Sequence, residues 1–263
     1  MMPPHSVVGA RLADTHCHVQ LQAFDEDRDR VMSEALSSLA WVVVVGDDVE
    51  SSRRALALTG PRVHATAGVH PHNASRLDAH ALHELRDLAR DGRFVAIGEI
   101  GLDYHYEFSP RDIQQAALRS QLLLAVELDL PVVIHCREAE SDFLQVIAQL
   151  DRCPAGVMHC FSGNAEFAQQ CLDLGFDLSF AGNVTFLKAH PIREAASKAP
   201  LDRIMVETDS PYLAPQKVRG KRCEPVHVAM TAQFLAELKG VSLETFAAAT
   251  TANGERLFLN RAR

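Results

Sequence analysis

The sequence contains no long apolar run and no excess of basic residues. Its most apolar stretch, WVVVVG at 41–46, is far too short to span a bilayer. The first residues, MMPPHSVVGARLAD, hold no apolar run of the length that a signal peptide needs. We therefore expect no membrane segment and a cytoplasmic location.

The chain also lacks the positive charge of a typical nucleic-acid-binding domain. It has 26 basic and 34 acidic residues, a formal net charge of −8. A broad nucleic-acid surface normally makes a domain basic, so any such contact must be local, through metal ions and a few basic side chains. A small anionic or neutral substrate stays open. Aromatic residues make up only 6%, and no aromatic strip for stacking bases is visible.

The six cysteines form no CxxC motif and no disulfide framework, so we expect them to be reduced. A chain of 263 residues with 47% hydrophobic residues is long enough for a substantial core. We expect one domain over residues 1–263.

Short apolar runs alternate with helix-like stretches along the chain. The predicted strands are 11–19, 40–47, 62–71, 93–103, 130–138, 155–163, 176–183 and 202–211. The predicted helices are 25–38, 49–58, 76–90, 109–129, 138–150, 164–174, 188–198, 225–239 and 242–257. Most of the strands are apolar on both faces, which is typical of buried parallel strands. For the helix 109–129 we expect Ser109 as the N-cap and Pro110 as the first helical residue.

Eight strands alternating with helices predict an α/β fold of the (β/α)8 TIM-barrel type, and a doubly wound open sheet is the alternative. The polar residues of interest close the predicted strands: His16, His18, His70, His72, Glu99, Asp103, His135, His159 and Asp209. A barrel carries its active site at the C-terminal ends of its strands. We therefore expect these side chains to meet at one rim.

Three histidines are each next to a cysteine, in the pairs 16–17, 135–136 and 159–160. Strand side chains alternate between the two faces, so His16 and His18 point the same way and Cys17 points the other way. We expect all three cysteines to pack outward as small buried hydrophobic residues.

Four histidines and two carboxylates exceed the needs of one tetrahedral ion with an open position. They suit two divalent ions about 3.5–4 Å apart. The six predicted ligands are His16, His18, Glu99, His135, His159 and Asp209. Glu99 is the candidate bridge, and the mixed nitrogen and oxygen set allows Zn, Mg or Mn. The role of His105 stays open.

Several ordered segments resemble the TatD family of metal-dependent hydrolases. They are DTHCHV (14–19), FDEDRD (24–29), AGVHPH (67–72), AIGEIGLDY (96–104), LPVVIHCREA (130–139), HCFSG (159–163), VETDSPYL (206–213) and RGKRCEP (219–225). The resemblance implies a (β/α)8 barrel, divalent metals and phosphodiester hydrolysis by DNases or 3′–5′ exonucleases. One departure is Cys223, where the family usually has Asn before Glu224-Pro225.

Carried over by position, the family's ligands of one ion match His16, His18, Glu99 and Asp209. Those of the other ion match Glu99, His135 and His159. We expect Asp209, together with Glu99, to act in catalysis by orienting or deprotonating the attacking water. Glu207 is an equal candidate for supporting Asp209 or for a buried structural role.

Contacts with the substrate are expected from His70, Arg137 and Arg219, the last within the basic loop QKVRGKR at 216–222. The expected substrate is nucleic acid, DNA ahead of RNA. The oligomeric state stays open, and a monomer is compatible with the sequence.

Two rival functions remain at this point. One is a different hydrolase on the same barrel, acting on an amide, a lactone or by deamination. Many barrels of that kind use a bridging lysine, and no lysine lies in the eight strand runs. The other is a metal-binding protein without catalytic activity, which the complete set of six ligands disfavours.

Overall fold

The computed structural model describes residues 11–260 and contains one eight-stranded parallel sheet in the order β1 to β8. The strands are β1 Asp14–Cys17, β2 Val42–Val45, β3 Val63–Ala67, β4 Phe94–Asp103, β5 Val132–Arg137, β6 Gly156–Met158, β7 Phe176–Phe180 and β8 Ile204–Val206. The segment after β8 closes the circle, because Ser210 pairs in parallel with Cys17. The predicted TIM barrel is confirmed, and the open sheet is excluded.

Helices follow the strands and cover the outside of the barrel. They are α1 Arg28–Ser38, α2 Val49–Ala57, α3 Ala79–Ala89, α4 Arg111–Leu128, α5 Glu140–Ala148, α6 Ala165–Asp173, α7 His190–Lys198, α8 Val228–Lys239 and α9 Leu243–Gly254. A π-helical segment, Glu255–Leu259, ends the described chain. Each predicted helix is present, shortened by one to three residues at one or both ends. Within residues 11–260, no helix has the length and apolarity to cross a membrane.

The predicted start of α4 is wrong by one residue. Pro110 occupies the N-cap, and no side chain caps the helix. The Ser109 hydroxyl instead donates to the His72 carbonyl and accepts from the Ser75 amide, both at 3.1 Å. Tertiary contacts with the segment 72–75 therefore hold the buried Ser109 outside the helix.

The barrel core has two layers. Strand residues, two residues just before strands and two residues of the π-helical segment fill the interior in one cluster: Ala13, Trp41, Val43, Val45, Val95, Ala96, Val133, Val157, Met205, Leu257 and Phe258. The strand residues between them, such as Val42 and Val44, pack outward under the helices. Burial on both faces of the sheet explains why WVVVVG is continuously apolar.

Strict alternation fails in β1. Asp14 pairs with Val42 and Cys17 with Val44, so three steps along β1 match two steps along β2. Thr15 points into the barrel, where its hydroxyl donates to the Val206 carbonyl at 3.1 Å. The extra residue lets His16, directly after Thr15, also reach the interior side, while Cys17 packs outward in the core.

Candidate metal centre

All six predicted ligands meet at the C-terminal ends of the strands, at or beneath a cleft of about 750 Å³. His16, Glu99 and His135 lie within strands, whereas His159 and Asp209 lie beyond strand ends. The strands are shorter than predicted, so part of the site is built by loops. Below, this end of the barrel is called the mouth, and the opposite end is called the base.

Glu99 lies at the centre of the cluster, and its two oxygens face different histidines. Oε2 lies 3.3 Å from Nε2 of His16 and 3.6 Å from Nε2 of His18. Oε1 lies 2.8 Å from Nε2 of His159 and 3.0 Å from Nδ1 of His135. A carboxylate with one oxygen on each side has the shape of a bridge between two cation positions.

Asp209 completes the side of the cluster that faces Glu99 Oε2. Its Oδ1 lies 3.4 Å from Nε2 of His18 and 3.8 Å from Nε2 of His16. The two histidine nitrogens are 3.1 Å apart. The Asp209 backbone has φ of 56° and donates its amide to the His16 carbonyl at 2.9 Å, which holds the carboxylate over β1. Nitrogen and oxygen donors at this spacing form a candidate metal site.

Two glycines in β4 allow the strand that carries Glu99 to approach β5 closely. A Cβ atom at Gly101, whose φ is 152°, would lie 1.8 Å from the His135 carbonyl oxygen. A Cβ atom at Gly98 would lie 2.6 Å from Cβ of Val133. Any larger residue at these positions would separate Glu99 from the β5 histidine.

The hydrogen bonds of the outer ring nitrogens fix which nitrogen faces the centre. Nδ1 of His18 lies 2.8 Å from the Val45 carbonyl, which can only accept a hydrogen bond. Nδ1 of His159 lies 2.9 Å from Oε1 of Glu207, a buried carboxylate. Each ring therefore carries a proton on Nδ1 and, when neutral, turns the lone pair of Nε2 toward the centre. Glu207 thus orients His159, and it does not contact Asp209 in any hydrogen bond within residues 11–260.

His70 has the opposite arrangement. Its Nδ1 accepts a hydrogen bond from the His72 backbone amide at 3.1 Å. The proton of the neutral ring must then be on Nε2, which lies 3.3 Å from Oε1 of Glu99. Burial lowers the pKa of His70 to about 4, so the ring is neutral and acts as a donor at the wall of the cleft.

Asp103 is a site residue that the sequence placed at the right strand end without giving it a role. Its Oδ2 lies 2.9 Å from Nε2 of His135 and 3.2 Å from Nε2 of His72. Its Oδ1 accepts the backbone amide of Tyr106 at 2.9 Å. The available signal was its position four residues after Glu99 in the same strand, at the same end of the barrel.

The electrostatics of the cluster favour a cation. Burial alone would raise the pKa of Glu99, but the surrounding histidines, with His159 foremost, hold it well below its usual range. Burial lowers the pKa of His18, and the hydrogen bond with Asp209 outweighs this and raises it to about 9. Positive charge, as a proton or a metal ion, is therefore stabilised between these groups.

No basic side chain competes for this position. Within residues 11–260, Glu99, Asp103 and Asp209 form ion pairs with histidines alone. Buried carboxylates without a lysine or arginine partner need another cation. Because the donors are imidazole nitrogens and carboxylate oxygens, the residues fit divalent metal ions.

The prediction for the three cysteines is only partly right. Cys17 is fully buried in the core, but Cys136 and Cys160 are only partly buried and both line the cleft. The sulfur of Cys160 lies 3.6 Å from the Asn183 amide nitrogen. For Cys160 the reason is that β6 ends at Met158 and that its backbone has φ of 43°, so strand alternation does not apply there. No cysteine belongs to a candidate metal group within the described chain.

Of the three predicted substrate-contacting residues, two line the cleft and one lies beside it. Arg137 and His70 line the cleft. Arg219 is exposed and lies with its guanidinium carbon 4.4 Å from the centre of the Phe186 ring, which also lines the cleft. Arg222 from the same basic loop bonds to Asp27 instead, at 2.7 Å.

Three undecided or unusual positions lie outside the cleft lining. His105 forms an exposed ion pair with Glu138 at 2.7 Å. Cys223, the departure from the family pattern, is buried with its sulfur 3.9 Å from the Thr208 carbonyl. Glu224 forms a reciprocal capping box with His227.

The few exposed aromatic residues gather at the cleft, although the sequence shows no aromatic strip. Among the described residues, the large aromatic side chains that are at least half exposed are Tyr106, Phe108 and Tyr212. Tyr106 and Tyr212 line the cleft, and Phe108 contacts His72 in the cleft wall. The sequence did not reveal this grouping because a low total of aromatic residues does not show which of them come together in the fold.

Comparison with known proteins agrees with this geometry. A family profile described as "TatD related DNase" matches residues 13–259. The chain is 39% identical to "Uncharacterized metal-dependent hydrolase YabD" of Bacillus subtilis over 251 residues, covering 94% of this chain and 98% of that protein. It is 36% identical to "3'-5' ssDNA/RNA exonuclease TatD" of Citrobacter koseri over 244 residues, covering 89% and 94%.

Solved structures show the same likeness. The crystal structure of YJJV, a TatD homologue from Escherichia coli, matches with a TM-score of 0.88 at 29% identity, covering 95% of this chain and 98% of that one. A dihydroorotase matches with a TM-score of 0.60 at 14% identity, which shows only a shared barrel fold. The chain therefore belongs to the TatD family and is a metal-dependent hydrolase.

Proposed function

We propose that this chain hydrolyses phosphodiester bonds in nucleic acid, as a DNase of the 3′–5′ exonuclease type, with two divalent metal ions. The observation that carries the proposal is the position of Glu99, whose two oxygens face two separate groups of histidines. A relative named as an exonuclease on single-stranded DNA and RNA supports the substrate class.

The six ligands divide between the two ions. His16, His18, Glu99 and Asp209 would hold one ion, and Glu99, His135 and His159 would hold the other. Zn, Mg and Mn all suit this donor set. When bound, such ions lower the pKa of a water and neutralise charge on the phosphoryl oxygens.

Asp209 and Glu99 are the proposed catalytic residues. Burial raises the pKa of Asp209, but the histidines, beginning with the His18 hydrogen bond, outweigh burial and lower it. The carboxylate is therefore ionised and ready to accept a hydrogen bond from the attacking water. The water gives a proton to Asp209 Oδ as its oxygen bonds to phosphorus, and the P–O bond to the sugar breaks as the departing sugar oxygen takes up a proton from solvent water.

Residues around the cleft are proposed to bind the substrate. Arg137 supplies positive charge to a phosphate, His70 donates a hydrogen bond from Nε2, and Arg219 contacts the strand at the rim. The remainder of the chain stays acidic, so these contacts act locally. We place DNA ahead of RNA as the substrate.

The rival reactions on the same barrel lack support in the site. No lysine is among the residues that line the cleft in the described part of the chain. A bridging lysine is therefore absent from this part of the site, and Glu99 occupies the central position between the histidines.

The deciding experiment uses protein freed of metal and reloaded separately with Zn, Mg or Mn. It is offered bis-nitrophenyl phosphate, a lactone, an amide, and single and double strands labelled at the 3′ or the 5′ end. We expect turnover of the phosphodiesters, and shortening of a 5′-labelled strand one nucleotide at a time. Turnover of only the lactone or the amide would reject the proposal, and internal fragments would reject the exonuclease mode.

A further inference from the structure

Two exposed aromatic rings stand beside the candidate metal centre in the loop after β4. The rings of Tyr106 and Phe108 are stacked, with centroids 5.4 Å apart and planes 18° from parallel. Their side chains are 50% and 68% exposed. Exposed aromatic area of this kind costs hydrophobic stabilisation and is typical of a binding surface. We call these two residues the aromatic platform.

The loop that carries the platform is firmly anchored at both ends. At its start, Asp103 accepts the Tyr106 amide at 2.9 Å. At its end, the buried Gln114 side chain donates to the Ser109 carbonyl at 2.8 Å and to the Asp103 carbonyl at 3.0 Å. Phe108 also lies edge-on to His72, with ring centroids 4.8 Å apart. The rings are therefore held in place before any ligand arrives.

A positive charge accompanies the platform. The guanidinium carbon of Arg137 lies 5.0 Å from the centre of the Tyr106 ring. The Phe186–Arg219 contact places a second aromatic and cationic pair at the cleft, at 4.4 Å. Alternation of flat aromatic faces with single positive charges matches a chain in which planar bases alternate with single negative phosphates.

We propose that the aromatic platform stacks an unpaired base of a single nucleic-acid strand whose scissile phosphate lies at Glu99 and Asp209. This deepens the proposed function and rests on it. Tyr106 is tied to the centre through Asp103, which also holds His135, so the platform and the cluster share one support.

The platform selects single strands because both faces of a base inside a duplex are already covered by its neighbours. Stacking on Tyr106 or Phe108 requires the base to leave the helix, which costs a few kcal/mol for each base step. In a single strand the base is unpaired, so the free-energy cost of exposing its face is much smaller. The contact is tolerant of sequence, since every base has a flat face.

Binding provides the first test, independent of catalysis. The probe is a 5′-fluorescein octathymidylate with phosphorothioate linkages, and the readout is fluorescence anisotropy with the metal-loaded protein. For the double variant Tyr106→Leu with Phe108→Leu we expect Kd to rise about tenfold or more, since base stacking of this kind is worth about 1–3 kcal/mol per base. Tyr106→Phe with Phe108→Tyr keeps two rings and should bind within about twofold of the unchanged protein.

The matched control is Leu174→Ala. Leu174 is 40% exposed at the end of α6, away from the cleft lining, and its removal should leave Kd unchanged. A hairpin duplex with a blunt end serves as the second probe. We expect the unchanged protein to prefer the single strand and the double variant to lose most of that preference. Equal Kd values for the wild-type protein and the double variant on octathymidylate would disprove base stacking on the aromatic platform.

Hydrolysis separates failure of the platform from failure of the proposed function. The ratio of kcat/KM on unmodified octathymidylate to that on bis-nitrophenyl phosphate should fall about tenfold in the double variant, mostly through KM. If the unchanged protein cleaves neither substrate but the binding difference holds, the reaction is wrong and the platform stands. If both substrates are cleaved and the ratio does not move, the platform is wrong and the phosphodiesterase stands.

Discussion

At the base of the barrel Asp177 forms ion pairs with two arginines, whereas at the mouth Glu99 forms ion pairs with histidines alone among residues 11–260. Asp177 is 4% exposed and lies 2.5 Å from Nε of Arg203 and 2.8 Å from a terminal nitrogen of Arg256. Both sites bury a carboxylate, but only the base supplies permanent positive charge from the chain itself. Charge that the chain leaves uncompensated therefore marks the end of the barrel where we propose that a cation binds.

The interior of the barrel changes in the same direction. Near the base, Trp41, Leu257 and Phe258 belong to one apolar cluster with the interior valines. Toward the mouth, the apolar filling gives way to histidines and carboxylates. The apolar base stabilises the fold, whereas the buried polar groups at the mouth form the candidate site at a cost in stability.

The strongest way to break the contrast is to remove the central carboxylate. Glu99→Ala or Asp209→Ala should lower kcat/KM on a phosphodiester by about 10³-fold or more, because metal positions and proton transfer are lost together. The measurement is initial rate with bis-nitrophenyl phosphate, and a cooperative melting transition like that of the metal-free parent protein shows that the fold survives. A soluble Asp209→Ala protein with near-normal activity would disprove its assigned role.

Removal of metal should abolish activity and also lower the free energy of unfolding. A cation that binds only the folded chain, at about 100 times its Kd, stabilises it by about 2.7 kcal/mol. We expect the free energy of unfolding to fall by roughly this amount with a chelator and to recover when Zn, Mg or Mn is restored. Urea unfolding with and without metal measures it. A metal-independent midpoint would argue against a site at the mouth.

Asp103 tests whether the support of His135 matters. Asp103→Asn keeps the shape but removes the charge that orients the ring, so metal affinity should fall about 10–100-fold. Activity measured against metal concentration should shift to higher concentrations and recover when metal is in excess. A loss that no excess of metal restores would show that Asp103 has a different role.

Asp177→Asn sharpens the contrast from the other end. The variant leaves Arg203 and Arg256 without a charged partner, and because both arginines are partly exposed we expect a loss of about 1–2 kcal/mol in stability. Metal affinity and kcat should match the unchanged protein. A change in either would show that the two ends of the barrel are coupled.

The smallest effect concerns the surface pairs of Asp27. Hydrogen bonds with Arg222 and Arg30 lower the pKa of Asp27 below its usual value. The stability from these pairs is therefore complete above the unfolded pKa of about 3.9 and is lost as pH falls further. Melting temperatures from pH 7 to pH 3 should fall less steeply for Asp27→Asn. Parallel curves would show that these pairs contribute nothing to stability.

Local patterns in the sequence were enough to predict the barrel and the group of polar side chains that meet at one end of it. The apolar runs with helices between them predicted eight strands, and the polar residue types at their ends predicted which side chains meet. These inferences succeed because burial on both faces and the C-terminal edge of parallel strands are encoded residue by residue.

Other features depended on contacts between distant segments. Ser109 does not cap α4 as local preferences predict, because its hydroxyl forms hydrogen bonds with the backbone of residues 72 and 75. Cys160 leaves strand alternation because β6 ends two residues earlier. Asp103 gains its role only because β5 brings His135 within 2.9 Å.

The sequence by itself determined the fold class and which six polar side chains meet at one end of the barrel, since both follow from residue type and spacing. The tertiary structure decided that Glu99 turns one oxygen to each group of histidines and that a chain poor in aromatic residues gathers Tyr106 and Phe108 beside them. The physical reason is that ring orientation, proton position and exposure depend on partners tens of residues away in the chain, which spacing does not record.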